Sequence, residues 1–340
     1  MTSADASRPA RRFPLRFVLS TLVGLALFAA LARWGNIDWT DMWGKLTSIW
    51  PWTFLGALGL HALIYIARAE RFRVLLPVEQ RPRRAALLCV TSAHNLAVYV
   101  LPAKTGEATL PLYLKATCGI DAAESIASLI VSRLFDLAAM STFLAAATLY
   151  VSTTDNWRFP AWIGVATGLG LAASALAFLA LAARGDLLVA PFQRTLRTLR
   201  LDRTRIGAKL AGGGERLKDA LRLAGHGSAR PAAFGLSLAV WALIFVFYGV
   251  LSMGLGLPPG VDFLQATFGS SLVVLMNLLP INSFAGIGTQ ETGAVLGLGM
   301  VGVAKDVALA NGLGVHAVQL FDTLLFGLVG HLAMGLARRK

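Results

Sequence analysis

The chain has 340 residues, of which 56% are hydrophobic and only 14% are charged, and its formal net charge is +13. A soluble globular domain carries about 25% charged residues, so this composition excludes a soluble globule and indicates a polytopic membrane protein. The basic residues lie mostly between apolar runs, as membrane topology requires. No nucleic-acid-binding motif accompanies them, so we do not expect nucleic acid as a partner.

The first apolar run covers residues 17–32 and follows a basic N-terminus, residues 1–16, that we place in the cytoplasm. The small residues at its end would also suit the cleavage site of a signal peptide. We favour a retained span because more spans follow. A second span is predicted from about Trp52 to Ile66, and the basic stretch that begins at Arg68 indicates a cytoplasmic loop.

A polar face on the second span consists of His61, Tyr65 and Arg68, which share one side of the helix by their i, i+4, i+7 spacing. These residues can line a polar site. Alternatively, His61 packs in the core while Arg68 extends to the membrane surface. The sequence leaves both interpretations open.

The next apolar region, residues 85–118, is interrupted by the stretch Leu101-Pro-Ala-Lys-Thr-Gly-Glu107. A charge at the centre of a span costs about 2.5–3.5 kcal/mol on insertion scales, so this stretch must face protein or water. Pro102 resists continuing a helix, Gly106 permits unusual backbone angles, and Thr105 can cap the helix that restarts. Both limbs are shorter than the roughly 20 residues that a span needs. We predict a re-entrant hairpin that opens to the cytoplasm, with two thin spans as the alternative.

A long helix is predicted from about 121 to 151, because acidic residues at its start suit the positive end of a helix dipole. It carries Arg133 and Asp136 at i, i+3 spacing. The two side chains can neutralise each other as a structural pair, or they can line a cavity opposite Glu107. Both interpretations stay open at this point.

The second half begins with a span at about 161–182, followed by a basic, amphipathic stretch at 184–230 and another span at about 233–255. We expect the basic stretch to lie on the cytoplasmic leaflet and to bind anionic lipid headgroups.

A second broken segment, residues 263–303, contains Leu279-Pro-Ile-Asn-Ser-Phe-Ala-Gly-Ile-Gly-Thr-Gln-Glu291, again with Leu-Pro before glycines and one isolated Glu. A final helix from about 307 to 336 follows. Arg133-Leu-Phe-Asp136 follows the first broken segment and Gln319-Leu-Phe-Asp322 follows the second at nearly the same distance. Paired broken segments of this kind indicate a diverged internal duplication.

The distribution of basic residues gives the topology. Most of the 31 Lys and Arg fall in segments assigned to one side, which places both termini in the cytoplasm. The first hairpin then opens inward and the second outward. We therefore predict an all-α polytopic membrane protein with about six full spans and two re-entrant helical hairpins arranged as an inverted repeat, whose halves are residues 17–151 and 160–336.

From about Ser20 to His331 the chain resembles the lysylphosphatidylglycerol synthase transmembrane-region family, a flippase-like module. The resemblance is carried by a Pro-x-x-x-Gly-Glu element, an Arg-x-x-Asp element, and a Pro-rich then Gly-x-Gly-x-x-Glu element. These elements are matched by Pro102, Gly106 and Glu107, by Arg133 and Asp136, and by Pro280, Gly286, Gly288 and Glu291.

The resemblance implies a role in lipid translocation at the bacterial inner membrane. The chain departs from the two-domain synthase because it ends at Lys340 without a soluble aminoacyl-transfer domain, so we do not expect lipid lysinylation. Ser132 stands where relatives often carry Glu, and Thr289-Gln290 stands where an Arg commonly precedes the Glu. The missing cation makes phosphate binding at the second broken segment doubtful.

We expect a flippase or transporter for a lipid with a polar headgroup, whether a phospholipid, hopanoid, glycolipid or polyprenyl lipid. Cationic groups and helix N-termini would hold an anionic headgroup, whereas the acids would bind a cationic one or carry protons. Alternatively, the acids pair with neighbouring donors and only hold the fold. The candidate substrate-binding residues are Lys104, Thr105, Gly106, Glu107, Arg133, Asp136, Asn282, Gly286, Gly288, Glu291, Gln319 and Asp322.

Two other functions stay open. One is a lipid-modifying enzyme with Glu107 or Asp136 as general acid or base, although dispersed histidines and the absence of a nucleophile motif argue against it. The other is a non-transporting membrane partner that recruits lipid-pathway enzymes through residues 184–230. The protein partners considered are a second copy of the chain, forming a homodimer, or such enzymes. Cys89 and Cys118 lie at the base of the first broken segment on the cytoplasmic side, so we expect neither a disulfide nor a metal site there. We also expect no cofactor.

Overall fold

The computed structural model describes residues 51–155, 157, 159–184, 229–278 and 284–337, with scattered positions in 40–47 and 190–221. Within these residues the fold is helical and contains no strand, which confirms the all-α prediction. The α-helices of this part are α1 (Pro51–Leu75), α2 (Arg84–Val100), α3 (Thr109–Cys118), α4 (Ala122–Val151), α5 (Ala161–Ala183), α6 (Ala229–Gly254), α7 (Phe263–Leu278), α8 (Thr289–Met300) and α9 (Lys305–Ala337).

Five of these helices are long and apolar enough to cross a membrane, namely α1, α4, α5, α6 and α9. They correspond to five of the six predicted spans. The sixth, residues 17–32, lies outside the described residues, as do the N-terminus 1–16, most of the basic stretch 184–230 and the last three residues. The described helices identify a multi-pass membrane protein.

Helix α1 is longer than predicted. It continues past Ile66 to Leu75 because Ala69, Phe72 and Leu75 extend its buried face. The predicted end of the span near Ile66 is therefore too early, and Arg68, Arg71 and Arg73 lie within the helix.

Both predicted interruptions of helical structure are present. The first break (Pro102–Ala108) is a 3₁₀ segment between α2 and α3. The second break (residues 284–288) begins with a 3₁₀ turn and precedes α8, while residues 279–283 before it lie outside the described part. The longest limb, α2, has 17 residues. At 1.5 Å per residue it reaches about 25 Å, which is shorter than the roughly 30 Å hydrocarbon core.

Each break contains one residue other than glycine in the left-handed region, Lys104 at φ 60° and Ala285 at φ 52°. A side chain in this region costs roughly 1–2 kcal/mol relative to the right-handed conformation. The two breaks also contact each other. The strained backbone is thus concentrated where the two broken segments meet.

Each half has one helix of its broken segment packed against the last long helix of the other half. Helix α2 packs against α9, and correspondingly α7 packs against α4. Three contacts within the first half have counterparts in the second half. The contact of α1 with α2 corresponds to that of α6 with α7, the contact of α3 with α4 to that of α8 with α9, and the contact of α1 with α4 to that of α6 with α9. Helices α1 and α6 pack against each other, and their contact forms much of the main apolar core, with Ile64 and Phe247 among its buried residues.

Close packing of α7 against α8 depends on glycine. A methyl group added at Gly297 would collide with the carbonyl oxygen of Gly269. We expect Gly297→Ala to lower the free energy of unfolding by roughly 1–3 kcal/mol, because the backbone of α7 would have to move. The matched control is Gly299→Ala, where no atom lies within 4 Å of the added methyl group. Thermal unfolding in detergent should separate the two variants, and equal unfolding temperatures would contradict this packing.

Candidate functional site

A cavity of about 600 Å³ lies among α1, α2, the first break, α4, α6, α7 and α9. Its wall is largely apolar, but charged and polar side chains from both halves converge on it. Five of the predicted site residues line the cavity, and so does the predicted polar face of α1. These residues are Lys104, Glu107, Arg133, Asp136 and Gln319, with His61, Tyr65 and Arg68 from α1.

Asp136 is the most heavily bonded carboxylate in the cavity wall. It accepts two hydrogen bonds from Arg71, at Oδ1 and, at 3.2 Å, at Oδ2. Arg133 Nη1 donates to it at 3.0 Å and Trp241 Nε1 at 2.9 Å. These four hydrogen bonds satisfy both carboxylate oxygens. Only 5% of Asp136 is exposed, so it has little access to solvent. The carboxylate therefore holds two arginines in place and has no free side for a cationic headgroup.

Arg71 is a site residue that the sequence interpretation missed. It is 1% exposed and also donates to Ser237 Oγ at 3.0 Å. Arg71 was predicted to lie at the basic cytoplasmic end of the span, because the positive-inside rule counts arginines without regard to helical phase. The helical phase of α1 could have identified Arg71 as a site residue, because it lies one turn beyond Arg68 on the polar face.

Glu107 projects from the first break and joins the same network. Arg133 Nη2 donates to Glu107 Oε1 at 2.7 Å, so Arg133 bridges Glu107 and Asp136. The predicted i, i+3 pair and the predicted cavity lining are thus both present. The Glu107 side chain is 25% exposed, whereas the Asp136 side chain is 7% exposed. Glu107 is the more accessible of the two acids.

His94 lies behind Glu107, with its Nε2 atom 3.7 Å from Glu107 Oε2. The Thr109 hydroxyl donates to Gly106 O at 2.7 Å and lies 2.9 Å from His94 Nδ1, so Nδ1–H must be the donor in the second contact. In the neutral tautomer Nε2 then carries no proton and faces a carboxylate oxygen. A proton taken up by either group can be shared between them after a small approach.

Glu291 lies outside the cavity wall and is 1% exposed. Its Oε2 accepts from Gly288 N at 2.7 Å, and its Oε1 lies 2.6 Å from His316 Nδ1. His316 Nε2 lies 2.9 Å from Ala285 O, a carbonyl that can only accept, so Nε2 must carry a hydrogen. One further proton is then held between His316 and Glu291. Through Gly288 and Ala285, the two side chains connect α9 to the second break.

Asp322 is fully buried and contacts His61, with Oδ2 lying 3.1 Å from Nδ1. His61 in turn stacks on Tyr65, with the ring centroids 5.1 Å apart. Asp322 therefore acts on the cavity indirectly, by positioning a histidine that lines it.

Three histidines that are scattered along the sequence each lie against one of the predicted acids. His61 pairs with Asp322, His94 faces Glu107 and His316 pairs with Glu291. The histidines pair with different acids rather than with one another, and the described residues contain no group of three potential metal ligands. Local reasoning cannot find a partner such as Asp322, which lies 261 residues after His61.

The remaining predicted residues occupy the breaks and α9. Thr105 is exposed, and Gly106 packs against the backbone of α2. Gly286 and Gly288 have φ values of 77° and 81°, which explains glycine at both positions. Gln319 Oε1 accepts from Tyr248 OH at 2.9 Å. Asn282 lies outside the described residues.

The Glu291 and His316 pair allows a matched test of its structural role. In Glu291→Gln the amide oxygen can still accept from Gly288 N and the amide nitrogen can donate to a neutral His316, so we expect a folded protein. In His316→Ala a buried carboxylate loses its partner, which costs about 3–5 kcal/mol. Thermal unfolding of the two variants should differ strongly. A His316→Ala protein as stable as Glu291→Gln would contradict the assignment.

The chain belongs to the lysylphosphatidylglycerol synthase TM region family, whose model matches residues 17–327. No curated protein matches the chain. The matched region includes both breaks and every residue that lines the cavity. Family membership and the five apolar helices together describe a multi-pass membrane protein associated with lipid pathways.

Proposed function

On the premise of this family membership, we propose that the protein is a lipid transporter of the bacterial inner membrane. It moves a polar-headgroup lipid between leaflets, carrying the headgroup in the cavity while the tails stay in the bilayer. The observation that carries the proposal is the cavity of about 600 Å³, in which charged side chains line an otherwise apolar wall between two broken helices. Ionisable groups within membrane helices commonly mark a substrate path.

The size and chemistry of the cavity suit a headgroup. Ligand sites in proteins typically measure about 300–1,000 Å³ and combine apolar walls with a few placed polar groups. The charged side chains of this cavity come from α1, the first break and α4. A headgroup that enters exchanges its hydration for these fixed partners, which removes much of the cost of crossing hydrocarbon.

We propose that the two halves form an inverted repeat, which would give a route through the cavity. Nearly every helix contact in one half has a counterpart in the other. Helix α2 of the first half packs against α9 of the second, and α7 of the second half packs against α4 of the first. With the span predicted at 17–32, each half contains three full spans and one broken segment. An odd number of crossings per half gives the halves opposite orientations in the membrane.

The broken segments are proposed to be re-entrant hairpins, because their limbs are too short to span and their breaks contact each other. One hairpin then opens to the cytoplasm and the other to the outside. Rocking of one half against the other would expose the cavity to each leaflet in turn, as in transporters built from inverted repeats.

An enzyme acting on a membrane lipid is the second candidate. The specific observation in its favour is His94 behind Glu107, since an imidazole beside a carboxylate at a cavity is an acid–base arrangement. A transporter remains the better proposal because Glu107 is already bonded to Arg133 and no nucleophile motif was found in the sequence. Recruitment of pathway enzymes through residues 184–230 is a further alternative.

The test is reconstitution of the purified protein in liposomes that contain fluorescent phospholipid and polyprenyl-phosphate probes. A membrane-impermeant quencher measures movement from the inner to the outer leaflet, and mass spectrometry of the same lipids detects any chemical change. We expect faster movement than in protein-free liposomes, with lipid masses unchanged. Altered masses without movement would favour the enzyme. Full movement after deletion of 190–221 would argue against recruitment as the main role.

A further inference from the structure

We propose that the cavity selects lipids whose headgroup carries a phosphate-type anion, and that Arg68 is the residue that binds this anion. The proposal rests on the proposed transport function and names the substrate class of the same site. Both carboxylates that line the cavity already have arginine partners, whereas Arg68 has no carboxylate within 4.0 Å among the described residues.

The charge balance of the cavity favours an anion. Its described lining contains three cationic side chains, Arg68, Lys104 and Arg133, and two carboxylates, Glu107 and Asp136. Behind the wall, Arg71 adds one further cation and Asp322 one further carboxylate, so the cationic side chains exceed the carboxylates by one. A low-dielectric cavity strengthens the effect of this surplus compared with water. An anionic headgroup would neutralise it.

A cationic headgroup would lack a partner. Asp136 is saturated by Arg71, Arg133 and Trp241. Glu107 accepts from Arg133 at 2.7 Å. Asp322 is fully buried behind His61, so it does not face the cavity. A cation would therefore have to displace an arginine or reach Oε2 of Glu107, which has no hydrogen-bond partner but is buried beside His94.

Arg68 is placed and oriented for an incoming anion. Its Nη1 donates to Asn95 Oδ1 at 2.6 Å, and among the described residues no carboxylate lies within 4.0 Å of it. Asn95 fixes one edge of the guanidinium without neutralising its charge. A guanidinium has five N–H donors in a planar fork that matches the oxygens of a phosphate. The remaining donors of Arg68 are therefore available to a ligand in the cavity.

The rest of the cavity indicates that the anion belongs to a lipid. The apolar part of the cavity wall comes from four helices and includes Ile64, Val98, Leu134, Ile244 and Phe247. A free phosphate ion gains nothing from such a surface. A lipid buries the glycerol or isoprenoid segment next to its phosphate against it. The shared chemistry is a phosphate group, and the two sources can be separated by experiment.

The experiment compares wild type with Arg68→Gln, Arg68→Lys and the control Arg84→Gln. Arg84 is 74% exposed and pairs with Glu70 outside the cavity. Leaflet movement is measured for labelled phosphatidic acid, phosphatidylcholine and an uncharged glycolipid. In detergent, thermal stabilisation is measured with short-chain phosphatidic acid and with inorganic phosphate.

We expect wild type and Arg84→Gln to move phosphatidic acid fastest, phosphatidylcholine, whose phosphate lies next to a cationic group, more slowly, and the uncharged glycolipid slowest. Arg68→Gln should lose this movement about tenfold or more, because hydrogen bonds between charged groups are the strong ones. Arg68→Lys should recover only part of it, since an ammonium lacks the fork. Short-chain phosphatidic acid should stabilise wild type but not Arg68→Gln, and inorganic phosphate should do so weakly.

Equal movement of all three lipids by wild type and Arg68→Gln would overturn the selection of anions and leave transport standing. No movement of any lipid, with stabilisation by phosphatidic acid that requires Arg68, would overturn transport and uphold the anion site. Stabilisation by inorganic phosphate alone would identify a free anion as the ligand and overturn the lipid assignment.

Discussion

Asp136→Ala should lower the free energy of unfolding by about 3–5 kcal/mol. The substitution leaves the guanidinium of Arg71, which is 1% exposed, without its carboxylate. It also removes the acceptor of Arg133 Nη1 and Trp241 Nε1. Thermal unfolding in detergent and the yield of inserted protein are the measurements.

The control for this prediction removes both charges together. In the double variant Arg71→Met with Asp136→Leu, no buried charge remains unpaired, and apolar replacements of buried ion pairs are often neutral or stabilising. We expect the double variant to recover most of the stability lost in Asp136→Ala. It should still be slow in transport, because Arg133 loses Asp136, one of its two carboxylate partners. A double variant less stable than Asp136→Ala would contradict the ion-pair interpretation.

Glu107→Gln should insert and fold but lose lipid movement by about ten- to a hundredfold. The amide has nearly the same shape, yet its hydrogen bond with Arg133 loses the charge of the acceptor, and hydrogen bonds to charged groups contribute about 1.5–3 kcal/mol. The variant also removes the carboxylate that can share a proton with His94.

The matched control is Glu124→Gln in the first turn of α4, where the acid only bonds to Gln80 near the surface. Initial rates of leaflet movement at equal protein density should be normal for Glu124→Gln. Equal rates for Glu107→Gln and wild type would remove Glu107 from the transport path.

Hydropathy and helix-breaking residues were sufficient to predict much of the fold. The five apolar helices and both breaks were found, because hydrocarbon tolerates only helices with paired backbone groups and penalises Pro102 and the charges beside it. The end of α1 was missed because arginines were read as a loop signal. Burial of Arg71 depends on Asp136, which lies 65 residues further along the chain.

The two broken segments look alike in sequence but differ in position within the fold. Arg133 occupies the same place in its Leu-Phe-Asp motif as Gln319 does in the second. An arginine can bridge Glu107 and Asp136, whereas the amide of Gln319 accepts from Tyr248 and leaves Glu291 to His316. The charges of the cavity therefore come from the first half. The similar motifs alone predicted the same substrate-binding role for Glu107 and Glu291.

The central claim is that one cavity serves both leaflets in turn, and two-sided accessibility of a single cysteine tests it most directly. With Cys89 and Cys118 replaced by serine, Leu134→Cys introduces a thiol in the cavity wall. The control is Ala304→Cys in the exposed turn before α9, which is expected to face outward. A membrane-impermeant maleimide is applied to spheroplasts and, separately, to inverted membrane vesicles.

The account predicts that Leu134→Cys reacts from both sides and that phosphatidic acid protects it. Ala304→Cys should react only in spheroplasts. Reaction of Leu134→Cys from one side alone, in protein that moves lipid at the normal rate, would contradict alternating access through this cavity.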